Sequence, residues 1–68
     1  MSSTLDNLVR MANQIATNLK HDADPVGAMA EHIKLFWDPR MKQIIFAHDG
    51  TGLSPDAAKA IDALKASA

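Results

Sequence analysis

The sequence predicts an all-α protein, a compact bundle of four short helices with a sharp corner between the second and third. Two observations carry that prediction. Short polar residues precede proline at Asp24-Pro25, Asp38-Pro39 and Ser54-Pro55. Asp and Ser side chains accept hydrogen bonds from the free N–H groups of a first helical turn, and proline suits the first helical position because its missing N–H would have had no partner there. Between these punctuation points the apolar residues recur at three-four spacing, with none of the sustained alternation that marks strands.

The first helix starts near Ser3, where Asp6 three residues on gives a capping-box-like pattern. Its stripe is Leu5, Leu8, Val9, Ala12, Ile15, Ala16 and Leu19. The second helix follows a polar loop from Lys20 to Asp24 and carries Val26, Met29, Ala30, Ile33, Phe36 and Trp37. The third has Met41, Ile44, Ile45 and His48 and stops toward Gly50-Thr51-Gly52. The fourth has Ala57, Ala60, Ile61 and Leu64. The expected spans are near 4–20, 25–37, 39–49 and 55–66. Because Pro39 disfavours helical backbone at Asp38, the axis must turn sharply between the second and third helices. A right-angled corner suits this better than an up-and-down bundle.

A chain of 68 residues is expected to form one domain over 1–68. At this size only about 60% of the unfolded chain's surface is buried, so association is one of the usual sources of extra stability. With no Cys, disulfides, thiolate chemistry and the common zinc-finger patterns are excluded. No apolar run approaches the roughly 20 residues of a membrane span. The opening Met-Ser-Ser-Thr-Leu-Asp lacks the basic-then-apolar order of a secretory signal, which gives a cytoplasmic expectation. Seven Lys plus Arg against eight Asp plus Glu leave a formal charge of −1. Nucleic-acid backbones and anionic membranes both call for concentrated positive charge, so neither is expected as a partner.

Catalysis is not expected. A nucleophile needs a base and an orienting group held beside it, and the serines lie at helix caps and chain ends, where a structural role is the expectation. Asp22, Asp24, Glu31 and Asp49 sit where loops and helix termini normally carry solvated carboxylates, and no Gly-rich phosphate loop is present. Of the three histidines, His21 is a loop residue, His32 flanks the second helix's stripe and His48 lies on the third's. No pair is spaced to share a metal, and His48 reads as a buried or half-buried imidazole with one hydrogen-bond partner.

The residues that point to function are apolar or bulky side chains off the stripes. Leu35 and Phe46 project opposite the apolar faces of their helices, and Met11 flanks its own. The only Trp, Trp37, and one of the two Phe, Phe36, crowd the corner beside Arg40. Trp, Arg and Met are enriched at protein interfaces. Phe36, Ile33 and Met41 are expected in the core, whereas Trp37 and Arg40, with Leu35 and Phe46, are the candidates for contact with another protein. On the first helix Asp6, Arg10, Asn13 and Thr17 form a polar face. Asp6 and Arg10 are spaced to pair, and Arg10, Asn13 and Gln14 are a candidate hydrogen-bonding surface.

Two segments resemble the delta subunit of soluble, NAD-dependent, molybdenum-containing formate dehydrogenases. One is Asn7-Leu8-Val9-Arg10-Met11-Ala12-Asn13-Gln14-Ile15-Ala16. The other is His32-Ile33-Lys34-Leu35-Phe36-Trp37-Asp38-Pro39-Arg40-Met41, and weaker similarity runs through Gly52-Leu53-Ser54-Pro55 and the Ala-rich last helix. The resemblance implies a cofactor-free accessory subunit whose larger partners carry molybdopterin, iron–sulfur clusters, FMN and NAD. Such a subunit would bind the large catalytic subunit and support assembly, maturation or stability of the complex. The alternative is a self-associating helical module in which the same patch closes a homodimer. A helix-turn-helix nucleic-acid binder would need a more basic recognition helix than Arg40 and Lys42 provide.

Overall fold

The computed structural model describes residues 3–67; Met1, Ser2 and Ala68, which the expected 1–68 domain and the N-terminal signal reading include, lie outside the described residues. The helices are α1 (Thr4–Asn18), α2 (Pro25–Phe36), α3 (Pro39–Phe46) and α4 (Pro55–Ser67), and no strand occurs among the described residues. The chain is an all-α bundle.

All four helix starts follow the side-chain chemistry that predicts them. Ser3 and Asp6 form a reciprocal capping box. Asp24 accepts the Gly27 N–H at 3.1 Å, Asp38 the Met41 N–H at 2.9 Å and Ser54 the Ala57 N–H at 3.4 Å. Gly27 is tied to its cap, because a Cβ there would collide with the Asp24 carboxylate.

The core draws on every helix. Leu8, Ala12 and Ala16 come from α1, Met29 and Ile33 from α2, Trp37 from the corner and Ile45 from α3. The whole predicted stripe of α4, Ala57, Ala60, Ile61 and Leu64, is buried among them. Leu5, Val9, Ile15, Leu19, Val26, Ala30, Met41 and Ile44 pack around this centre half-buried. The alanines at the middle of α1 and α4 let helices approach closely, since interaxial distance follows side-chain size at the contact. The radius of gyration is 10.9 Å, matching the roughly 11 Å of a compact chain of this length.

α3 ends earlier than the stripe suggests, at Phe46 rather than near residue 49. The Ala47 N–H still reaches Gln43 O at 3.1 Å, but His48 N–H turns to Ile45 O at 3.2 Å. The chain then makes a tight connection through Gly50 and Gly52, both at positive φ (94° and 86°), where glycine carries no Cβ penalty. His48 is half-buried in this turn, its Nε2 2.6 Å from the Thr51 carbonyl, as its place on the stripe predicts.

Candidate functional site: the exposed corner and its groove

The corner is built by Pro39. Trp37 (φ −84°, ψ 135°) and Asp38 (φ −74°, ψ 166°) are both extended, so α2 and α3 are separated by two residues and diverge. The backbone ladder of α2 runs on to Trp37, whose N–H reaches Ile33 O at 3.0 Å. At the free carbonyl end of α2, Lys42 Nζ donates to Lys34 O at 2.8 Å. A cation there satisfies an orphan acceptor and complements the negative end of the helix dipole.

The two aromatic residues of the corner exchange the places expected of them. Phe36 is 71% exposed and Trp37 only 5%. At 100° per residue, Val26, Met29, Ala30, Ile33 and Trp37 all fall within about 60° of one direction, whereas Phe36 lies about 80° off it. Phe36 belongs to the row of His32, one turn earlier, and the two rings pack with centroids 4.8 Å apart at 41°. The expectation of Phe36 in the core is therefore corrected, as is that of Trp37 as an outward-facing side chain. Leu35, 66% exposed, projects about 100° further round the helix. Two large apolar side chains in succession, both left in water, are notable on so small a chain.

Phe46 also departs from expectation. It is half-buried and packs on the core cluster, because α4 passes over it. It lines a hollow of about 220 Å³ with Lys34, Lys42, Leu64 and Ser67. Arg40 is exposed on the first turn of α3, as expected.

On α1 the polar face divides. Arg10 and Gln14 are exposed, but Arg10 pairs with Asn7 Oδ1 at 2.7 Å rather than with Asp6, whose carboxylate is engaged in the capping box. Asn13 is half-buried and faces inward. Its Nδ2 donates to Gly52 O and its Oδ1 accepts from Ser54 N–H, both at 2.8 Å. One amide side chain thus latches α1 to the turn that launches α4. The partners lie 39 and 41 residues away, so no local spacing announces the contact.

Several polar side chains elsewhere on the surface hold local structure. The Ser3 and Ser54 hydroxyls serve as caps and Ser67 Oγ donates to Leu64 O at 3.1 Å. The Asp49 carboxyl is held below its ordinary range by hydrogen bonds from Thr51, the side chain first and the backbone N–H next. Among the described residues no group of three or more His, Cys, Asp or Glu is placed to hold a metal ion, and no helix is long and apolar enough to cross a membrane.

Comparison with known proteins assigns the chain to a family. The family model described as "NADH-dependant formate dehydrogenase delta subunit FdsD" matches residues 7–61, a span that takes in the Asn13 latch, the corner and the first half of α4. No curated protein and no solved structure matches the chain. The match covers well over half of the sequence, and the chain belongs to the delta-subunit family of NADH-dependent formate dehydrogenases.

Proposed function

We propose that this chain is a non-catalytic accessory subunit that binds the large catalytic subunit of a formate dehydrogenase complex and supports its assembly, maturation or stability. The observation that carries the reading is the exposed pair Leu35–Phe36 on a chain of the delta-subunit family. Large apolar side chains left in water cost free energy, which a partner surface removes. Arg40 on the first turn of α3, and Arg10 and Gln14 on α1, supply exposed polar groups of the kind that rim such contacts. The redox cofactors (molybdopterin, iron–sulfur clusters, FMN and NAD) reside on this reading in the larger subunits, in keeping with a chain that has no cysteine thiolate to offer a cluster. A cytoplasmic location goes with the same reading.

Leu35→Ala combined with Phe36→Ala tests it. The variant should remain folded by circular dichroism and yet fail to co-purify with the large subunit. Undiminished co-purification and full formate oxidation would contradict the proposal. The self-associating alternative draws on the same exposed pair, and sedimentation at micromolar concentration separates the two: a stable homodimer abolished by the same substitutions favours self-association.

A further inference from the structure

Leu35 also lines a groove between α2 and α4 of about 410 Å³, together with Ala30, Glu31, Lys34, Ala63 and Leu64. Past Lys34 the groove continues into the hollow under Phe46. Leu35, Phe46 and Leu64 supply the large apolar side chains of this lining, and Ala30 and Ala63 the small ones. From Ala30 to Leu35 the α2 wall rises about 7.5 Å, roughly a turn and a half of helix, and the Phe46 hollow extends it. Those are the dimensions and the lining of a seat for a short amphipathic helix.

Charge decides what that helix carries. Among the described residues, the ionisable side chains lining the Phe46 hollow are Lys34 and Lys42, with no Asp or Glu side chain beside them. Glu31 stands at the other end of the groove. Lys42 is not a freely swinging side chain, because its ammonium is fixed on the Lys34 carbonyl and keeps further N–H donors to offer. A chain of net charge −1 thus presents a locally positive, preorganised end beside an apolar floor.

We propose that the α2–α4 groove receives an amphipathic helix of the catalytic subunit, which lays its apolar face on Leu35, Phe46 and Leu64 and places a carboxylate against Lys34 and Lys42. The proposal rests on the accessory-subunit reading above and specifies its contact. Docking through such a carboxylate is sensitive to ionic strength.

The test is a calorimetric titration of the full chain into formate dehydrogenase purified without it, at low and high salt. The wild-type chain should bind, and more weakly in high salt. Lys34→Glu should weaken binding at least tenfold and flatten the salt dependence, while a thermal midpoint lowered by no more than about 8 °C, the effect of a carboxylate at the negative end of α2, shows that the fold is intact. Lys34→Met combined with Lys42→Met should show an intermediate loss. Binding by Lys34→Glu with wild-type affinity and salt dependence would overturn the groove proposal and leave the accessory reading standing. Absence of binding by the wild-type chain would overturn both. A homodimer that Lys34→Glu dissociates would assign the groove to a second copy of the chain and overturn the proposal.

Discussion

The Asn13 latch and the Phe36 corner are the two places where the chain departs from a plain amphipathic bundle, and they do so in opposite directions. At the latch a polar side chain turns inward and ties α1 to the Gly52–Ser54 turn. At the corner an aromatic side chain turns outward, while its neighbour Trp37 takes the core position. Both lie within residues 7–61, the span that matches the delta-subunit family. The difference teaches that a distinctive motif can serve the fold in one place and leave a surface free in another, and that only the direction of each side chain separates the two.

The largest expected effect breaks the comparison inside the corner itself. Trp37→Ala removes a buried indole and should cost about 3–5 kcal/mol, a large part of the total stability of a domain this small. With each kcal/mol worth about 4–8 °C, the thermal midpoint should fall by more than about 10 °C. Phe36→Ala, one residue away, should change stability by no more than about 0.5 kcal/mol. Urea unfolding of both variants measures this, and equal losses would erase the distinction drawn between them.

The latch comes next. Asn13→Ala leaves the Ser54 N–H and the Gly52 carbonyl without their partner, at a cost of about 1–3 kcal/mol. Hydrogen exchange should show the loss concentrated in the 49–54 turn and the start of α4, with α2 unaffected; a uniform loss would mean that Asn13 is not a local tie.

The smallest effect sharpens the latch side. Because Thr51 holds the Asp49 carboxyl below its ordinary range, the folded state favours the carboxylate. The contribution is complete above the unfolded-state pKa and is lost as pH falls through the lowered folded value. Solvent screening keeps it small at so exposed a site. The thermal midpoint of the wild-type chain relative to Asp49→Asn should be constant above about pH 5 and shrink below about pH 4; a difference that grows on acidification would reverse the assigned sign.

Much of this was legible in local pattern. The four caps, the α4 stripe and the extended backbone before Pro39 follow from residues one to four apart, the range over which side-chain spacing speaks. The aromatic exchange at the corner was legible in part. Phe36 is four residues from His32 as Trp37 is four from Ile33, and following each row to its start separates the buried from the exposed. Treating both as one stripe hides this, because a helix end leaves little sequence to define the stripe's edge. The burial of Phe46 depends on α4 crossing above it, and the partners of Asn13 are brought up by the whole fold. Neither has a local signal. The Lys42–Lys34 contact also forms across the corner, and only the turn that Pro39 imposes makes it geometrically available.

Trp37 faces the core and Phe36 faces outward, on the proposed function toward a partner. Trp37 is the chain's only tryptophan, so moving that probe by one position tests the claim directly. In the wild-type chain, acrylamide should quench the fluorescence weakly whether the chain is free or in the complex. In Phe36→Trp combined with Trp37→Phe, quenching should be strong in the free chain and weak once the large subunit is bound. Strong quenching of Trp37 in the free, folded wild-type chain, or a probe at position 36 that stays fully quenchable in the complex, would contradict the account.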